Sequence, residues 1–206
     1  MIAIIDYGVG NLYSLSHSLT HLGIENAVTR DRALIEAADK LILPGVGAIG
    51  DAKRRLDETG LTEVVAGLAR AGTPLLGICL GMQLLFEKSF EYGEHRGLGL
   101  IPGQVCPIEP DLPQPLKVPH IGWNRLHIVR PCLLTRDIAE GDSVYYVHSY
   151  YAKNVGDCLM ASSEYGVEVP GIVQKGCVYG TQFHPEKSGE IGLRILRAFA
   201  EGKKES

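Results

Sequence analysis

The 206-residue sequence has no excess of basic residues, since 20 lysines and arginines stand against 24 aspartates and glutamates, for a net charge of −4. Nucleic-acid-binding domains carry a basic patch or stripe, and the basic pair Lys203-Lys204 lies beside acidic residues. The composition gives no reason to expect a nucleic-acid partner.

Long apolar runs and regular cysteine spacings are also missing. No run approaches the roughly 18 apolar residues of a membrane-spanning helix, and the first residues lack the pattern of a secretory signal peptide. The five cysteines are an odd number without C-x-x-C spacing, which does not suit a disulfide framework. We therefore expect a protein of the reducing cytoplasm, without a membrane segment.

Motifs for cofactors and metals are absent as well. Residues 8–13 begin like the dinucleotide motif G-x-G-x-x-G, but Tyr13 replaces the third glycine, and no acidic residue ends a second strand to bind a ribose. The sequence contains no G-x-x-x-x-G-K-[ST] phosphate loop. His120 and His127 are not spaced as metal ligands with any cysteine or carboxylate pair. We expect neither a cofactor nor a metal ion.

The first 88 residues alternate apolar runs with helical patterns. We predict strands at residues 2–5, 26–29, 40–43 and 74–78, and helices at residues 12–22, 33–38, 48–59, 61–71 and 80–88. Uniformly apolar strands that alternate with helices favour a parallel sheet covered on both faces.

After residue 100, prolines and short β-like runs replace the helices. We predict strands at residues 145–151, 158–162, 171–174 and 178–183, and a last helix at residues 189–200. A chain of this length is sufficient for one domain with a full core. The predicted fold is a single α/β domain, residues 1–206, whose mostly parallel central sheet is flanked by helices and joined by a smaller antiparallel β portion in the C-terminal half.

Cys79 is the strongest candidate for a catalytic residue. It lies between Gly77 and Gly81, where a predicted strand turns directly into a helix, and glycine allows the close backbone approach that such a turn needs. The N-terminus of the helix favours a thiolate and offers the Leu80 N–H as an oxyanion donor. Taken alone, a free cysteine is as well explained as a small core residue.

His-Pro-Glu at residues 184–186 follows the last predicted strand. His184 could accept the thiol proton and deliver it to a leaving amine, while Glu186 holds the tautomer of the imidazole. The loop Pro-Gly-Val-Gly at residues 44–47 also follows a strand, so the Val46 N–H could be a second oxyanion donor. Spacing alone leaves an ordinary turn open for this loop. Because ligands bind beyond the carboxyl ends of parallel strands, these segments should meet at one edge of the sheet.

The segments Gly-Ile-Cys-Leu-Gly-Met-Gln at residues 77–83 and His-Pro-Glu resemble the motifs of class I glutamine amidotransferases, which have a flavodoxin-like fold. More narrowly, the chain resembles the glutaminase subunits of imidazole glycerol phosphate synthases, in segments at residues 5–12, 44–47, 97–103, 117–124, 146–151 and 180–188. The similarity extends over nearly the whole chain.

This resemblance implies that a triad of Cys79, His184 and Glu186 hydrolyses L-glutamine to glutamate and ammonia. It implies that the N–H groups of Val46 and Leu80 bind the oxyanion. The positions that hold the glutamine in the family correspond here to Gly47, Gln83, Glu91, Ser149 and Tyr150.

The resemblance also implies a heterodimer with a (β/α)8-barrel cyclase subunit. The ammonia would travel through a channel to that subunit, which makes imidazole glycerol phosphate and aminoimidazole carboxamide ribotide (AICAR) in histidine biosynthesis. A dry path makes physical sense, because ammonia in neutral water is protonated and is then no longer a nucleophile. Asn11, Trp123 and Lys187 match the partner-facing positions. Without the partner, we expect little activity.

Three other interpretations stay open. The chain could serve another amidotransferase with a different acceptor, although Gly-Trp-Asn at residues 122–124 argues against it. It could be a stand-alone cysteine hydrolase of γ-glutamyl substrates, which should be active without a partner. It could be a non-catalytic binding module, but such a module has no physical need for Cys79, His184 and Glu186 together.

Overall fold

The computed structural model describes residues 1–202, so the lysine pair at residues 203–204 lies outside it. The strands in this range are, in chain order, β1 (Ile2–Ile5), β2 (Asn26–Thr29), β3 (Lys40–Leu43), β4 (Leu75–Ile78), β5 (Lys88–Ser89), β6 (His95–Arg96), β7 (Gln104–Pro107), β8 (His120–Arg125), β9 (His127–Ile128), β10 (Ser143–His148), β11 (Tyr150–Lys153), β12 (Leu159–Glu164), β13 (Glu168–Lys175) and β14 (Val178–Thr181). The α-helices are α1 (Leu12–His21), α2 (Arg32–Glu36), α3 (Ile49–Glu58), α4 (Leu61–Arg70), α5 (Leu80–Leu85) and α6 (Gly189–Glu201).

An eight-stranded sheet in the order β2-β1-β3-β4-β14-β13-β12-β9 forms the centre of the fold. Strands β2, β1, β3, β4 and β14 are parallel, and β13, β12 and β9 continue the sheet in antiparallel pairs. Strands β1, β3, β4 and β14 are buried along their whole length, as expected when both faces of a parallel sheet are covered. The predicted α/β fold is confirmed.

The two faces of the sheet support separate apolar clusters, because successive side chains of a strand point to opposite faces. Ala3 and Ile5 of β1 pack into the cluster that includes residues of helices α2 to α5. Ile2 and Ile4 pack into the cluster that includes residues of α1 and α6. Two smaller sheets, β10-β8 and β11-β7-β5-β6, complete the C-terminal half. Among the helices of residues 1–202, none combines the length and the apolar character that crossing a bilayer demands.

The helix after Cys79 is shorter than predicted. It ends at Leu85, not at residue 88, because N–H groups of the loop at residues 98–101 take its last carbonyls: Leu98 binds the Leu84 carbonyl oxygen at 2.7 Å, and Leu100 binds that of Leu85 at 2.9 Å. Residues 88 and 89 then form β5 of the four-stranded sheet. A contact between segments that are distant in sequence thus overrides the local helical pattern.

The predicted strand at residues 145–151 is also wrong in one respect. It is two strands in different sheets, since β10 pairs with β8 and β11 pairs with β7. The chain changes sheets at Ser149, whose carbonyl oxygen accepts a hydrogen bond from the Ile108 N–H at 3.0 Å. The break places Ser149 and Tyr150 at the wall of a cavity that Cys79 also lines, which is called the main cavity below.

Candidate active site

Cys79 occupies a strained turn between β4 and α5. Its φ of 54° and ψ of −109° lie in a region that residues other than glycine rarely adopt. The turn is so tight that a Cβ added at Gly81 would lie 1.8 Å from the Leu43 carbonyl oxygen, and one added at Gly77 would lie 2.6 Å from that of Gly81. The flanking glycines are therefore required by close contacts between backbones.

His184 and Glu186 form a buried pair beside Cys79. His184 Nδ1 lies 2.9 Å from Glu186 Oε1, and each side chain is 3% exposed. His184 and Cys79 line the same cavity, and since Nδ1 faces the carboxylate, Nε2 is the ring nitrogen left to serve the thiol. Burial by itself disfavours a charge on the ring, but the hydrogen bonds to Cys79 and Glu186, with their negative charges, outweigh it and raise the pKa of His184 to about 10. The arrangement suits proton transfer between a thiol and an imidazole.

A cavity of about 620 Å³ opens over Cys79 and His184. Cavities of this size are typical of small-molecule sites. Besides these two residues, the predicted site residues that line it are Val46, Gly47, Leu80, Gln83, Glu91, Ser149, Tyr150 and Lys187. Tertiary structure thus brings to one cavity residues from segments that are far apart in sequence.

The Glu91 carboxylate joins the cavity wall to the start of α3. Its Oε2 accepts a hydrogen bond from the Ile49 N–H at 2.5 Å. Burial raises the pKa of Glu91, while this hydrogen bond opposes the increase. Glu91 therefore holds a carboxylate at the cavity wall, where it binds the backbone just beyond the loop at residues 44–47.

The loop at residues 44–47 is anchored by a residue that sequence reasoning missed. The hydroxyl of Tyr7, which is buried, donates a hydrogen bond to the Pro44 carbonyl oxygen at 2.6 Å. Burial, followed by the nearby charge of Cys79, raises the pKa of Tyr7. Val46 itself is exposed at the mouth of the cavity. The only sequence signal was the position of Tyr7 two residues after the end of the first strand, at the predicted ligand-binding edge.

A second missed residue is Gln182, which contacts the sulfur of Cys79. Its Nε2 donates to Sγ at 3.8 Å, and its Oε1 accepts from Gln83 Nε2 at 3.2 Å. Gln83 Nε2 also donates to the Tyr150 carbonyl oxygen at 2.9 Å. The position of Gln182 two residues before His184 in an extended segment could have suggested that the two side chains share a face.

The predicted partner-facing residues lie in three places. Asn11 shares a small cavity with His184 and Glu186, and Lys187 lines the main cavity. Trp123 lies on β8, 57% exposed, with its ring edge-on to Tyr145 at a centroid distance of 5.9 Å. Tyr145 in turn accepts a hydrogen bond from the His184 N–H at 3.0 Å through its carbonyl oxygen. Trp123 therefore packs against Tyr145, the residue whose backbone carbonyl binds the His184 N–H.

Within residues 1–202, no group of three or more histidine, cysteine, aspartate or glutamate side chains is arranged to hold a metal ion. His120 contacts His148. His120 Nδ1 lies 2.9 Å from His148 Nε2, and His120 Nε2 lies 2.8 Å from Asn124 Oδ1. Burial, and then the charge of His120, lower the pKa of His148 to about 3. The pair is a buried link between β8 and β10, and His148 forms part of the main cavity wall.

Comparison with known sequences identifies close relatives. The chain is 53% identical over 202 residues to imidazole glycerol phosphate synthase subunit HisH of Geobacillus kaustophilus, a match that covers 97% of this chain and 95% of the relative. It is 50% identical over 203 residues to the subunit of the same name from Listeria monocytogenes serovar 1/2a, with 98% and 95% covered.

Solved structures share the fold at low sequence identity. A glutamine amidotransferase crystal structure superposes with a TM-score of 0.75 at 22% identity, covering 98% of both chains. A chain of PurLQS from Thermotoga maritima superposes with a TM-score of 0.72 at 19% identity, covering 96% of both chains. The sequence profile described as glutamine amidotransferase class-I matches residues 3–201. The chain belongs to the class-I glutamine amidotransferase family.

Proposed function

We propose that this chain is the glutamine amidotransferase subunit of an imidazole glycerol phosphate synthase, and that Cys79 is its nucleophile. Cys79 Sγ attacks the side-chain amide carbon of L-glutamine, while His184 Nε2 takes the thiol proton and delivers it to the departing ammonia. Water then hydrolyses the thioester and releases glutamate. Glu186 orients His184 and stabilises the imidazolium.

The observation that carries this proposal is the arrangement of three groups beside the cavity. A cysteine on a strained turn lines the cavity together with a histidine, and Nδ1 of that histidine is 2.9 Å from a buried carboxylate. A nucleophile, a base and an orienting acid within hydrogen-bond reach are the requirements of covalent catalysis.

We assign the binding of glutamine to Gly47, Gln83, Glu91, Ser149 and Tyr150. The Glu91 carboxylate suits the α-ammonium group of the substrate. Gln83 uses Nε2 for the Tyr150 carbonyl and Gln182, which leaves its Oε1 to accept a hydrogen bond from the ligand.

In this proposal, the N–H groups of Val46 and Leu80 donate hydrogen bonds to the oxyanion of the tetrahedral intermediate. The Val46 N–H must point into the site, and the loop at residues 44–47 can change its conformation because Gly45 and Gly47 flank that residue. The hydrogen bond from Tyr7 to Pro44 restrains the loop at its first residue. Reorientation of this loop is the step that a partner subunit could control.

The partner in this proposal is a (β/α)8-barrel cyclase, bound through a surface that contains Asn11, Trp123 and Lys187. The relatives are named as subunits of imidazole glycerol phosphate synthase, and the exposed Trp123 is the type of residue that is enriched at the centre of interfaces. Ammonia would pass directly into the barrel, in the cytoplasm, for histidine biosynthesis.

The test is glutamine hydrolysis by the purified chain, first alone and then with the barrel subunit and its ribotide substrate. We expect little turnover alone and a large increase with both. Cys79→Ala should abolish turnover, while the matched control Cys106→Ala, a cysteine outside the cavity, should retain it. Turnover by Cys79→Ala would refute the nucleophile. High activity alone that the barrel leaves unchanged would favour the stand-alone hydrolase.

A further inference from the structure

Gln182 is buried against the nucleophile by the register of the sheet. Thr181, the last residue of β14, pairs with Ile78, the last residue of β4, and its carbonyl oxygen accepts the Cys79 N–H at 2.7 Å. Gln182 and Cys79, the residues that directly follow these two strands, therefore lie side by side. Gln182 is 0% exposed, and its N–H is held by the Gly171 carbonyl oxygen at 3.0 Å.

The orientation of the Gln182 amide is determined by its neighbours. Gln83 Nε2 has two hydrogens, one directed to the Tyr150 carbonyl oxygen at 2.9 Å and the other to Gln182 Oε1 at 3.2 Å. Since the Gln182 oxygen must face this donor, its NH₂ group faces Cys79 Sγ, 3.8 Å away. An amide nitrogen can donate but cannot accept, so the contact is a donor aimed at the sulfur.

We propose that Gln182 is a further catalytic residue, which donates a hydrogen bond to the Cys79 thiolate and favours that form over the thiol. This inference rests on the proposed role of Cys79 as the nucleophile. A donor aimed at an ionised group binds it more strongly than the neutral group. Gln182 is not among the residues that line the cavity, so it acts on the nucleophile and not on the substrate.

The contact also ties the sulfur to the substrate wall. Gln83 lines the cavity and bonds the opposite end of the Gln182 amide. A shift of Gln83 away from Gln182 would free the amide to rotate and to withdraw its donor from the sulfur. Through Gln182, the proposed substrate-binding residue Gln83 is therefore linked to the Cys79 sulfur.

The decisive experiment measures the rate of Cys79 alkylation by iodoacetamide against pH, with the Cys79 peptide quantified by mass spectrometry. Gln182→Met keeps an unbranched side chain of similar length and removes the donor. We expect alkylation at pH 7 to slow by about tenfold, and the midpoint of the pH profile to rise by about one pH unit. The matched control is Gln174→Met on β13, where the side chain bonds the Gly176 carbonyl oxygen and should leave the profile unchanged.

A second variant guards against a packing defect. Gln182→Leu fills much of the same space and has no polar atom to present to the sulfur. If Gln182→Met does not fold, this variant takes its place in the same assay, with the same expected direction. In the complex with the barrel subunit, we expect kcat for glutamine to fall by about tenfold while KM changes little.

The outcomes are separable. A folded Gln182 variant with an unchanged alkylation profile refutes the donor role, as does a change in KM alone. Glutamine turnover by Cys79→Ala would refute the proposed function instead, because the alkylation profile does not depend on which residue attacks glutamine.

Discussion

Gly81 offers a direct test of the nucleophile turn. A Cβ at this position would lie 1.8 Å from the Leu43 carbonyl oxygen and 2.8 Å from the Leu43 carbonyl carbon. Carbon and oxygen atoms in contact are at least about 3.3 Å apart, so one backbone must move by roughly 1.5 Å. Neither atom belongs to a side chain that can rotate away.

The energy of this clash can be set against helix propensity. Overpacking of a filled site costs about 1–3 kcal/mol, and more where backbones collide. Alanine gains about 1 kcal/mol over glycine in an exposed helix interior. Because the clash falls on backbone atoms, we take the upper end of that range, about 3 kcal/mol, and after the propensity gain of about 1 kcal/mol Gly81→Ala should lose about 2 kcal/mol of unfolding free energy.

Gly67→Ala is the matched control, because Gly67 lies in α4 on the exposed side and an added Cβ would meet nothing within 4 Å. This variant should gain about 1 kcal/mol. Urea unfolding of both variants and the parent chain measures the difference, which for a protein of this size corresponds to a shift in Tm of about 2–4 °C per kcal/mol. Gly81→Ala should also slow Cys79 alkylation, since relief of the clash moves the Leu43–Pro44 peptide. A Gly81→Ala variant as stable as the parent would refute the close approach of the two backbones.

Three more predictions concern stability and the partner. Lys40 Nζ donates to the carbonyl oxygens of Phe199 and Ala200, each at 2.7 Å, and so caps the end of α6. Lys40→Met should lower the unfolding free energy by about 2 kcal/mol in urea unfolding, whereas Lys53→Met, which removes an ion pair with Asp57, should lower it by about 0.5 kcal/mol or less. Equal losses in the two variants would contradict the capping of α6 by Lys40. The pKa of His148 is lowered in the folded protein from 6.5 to about 3, so the unfolded chain binds more protons between these two pH values. The unfolding free energy should therefore fall as the pH drops from about 6.5 to 5, by up to about 1.4 kcal/mol per pH unit. His148→Gln should flatten this slope, while His127→Gln, at an exposed position, should not. Trp123→Ala should weaken binding of the barrel subunit, measured by titration calorimetry, by about tenfold or more and should change Tm little. Leu34→Ala, at an exposed position on α2, is the control. An unchanged affinity of Trp123→Ala would show that Trp123 is not part of the interface.

The predicted strands of the first half match the structure within one residue, because their signal is local. Residues 2–5 and 40–43 are short, largely apolar runs bounded by turns, and such runs form strands wherever both sheet faces are covered. The turn at Cys79 was equally clear, since glycines at 77 and 81 flank a residue at the end of an apolar run. The sequence could not show that the required close contact is with Leu43, a residue from another strand.

The errors arose where distant segments compete for the same backbone groups. The loop at residues 98–101 takes the carbonyls that a longer α5 would need, and the Ile108 N–H binds the Ser149 carbonyl where one predicted strand becomes two. No local pattern contains these partners. Tyr7 and Gln182 were missed for a related reason, because a polar residue at a strand end has no distinctive signal until its acceptor or donor is known.

The sequence by itself determined the α/β alternation, the strand-to-helix turn at Cys79 and the candidate residues for acyl transfer, since each depends on residue type and short spacing. Tertiary structure decided which groups meet. Parallel pairing of β14 with β4 brings residues about a hundred positions apart beside one sulfur. Gln182 contacts Cys79 Sγ, and His184 lines the same cavity; we propose that His184 takes the thiol proton and that Gln182 stabilises the thiolate. Such contacts follow from strand register, which is specified by packing across the whole sheet and not by any single segment.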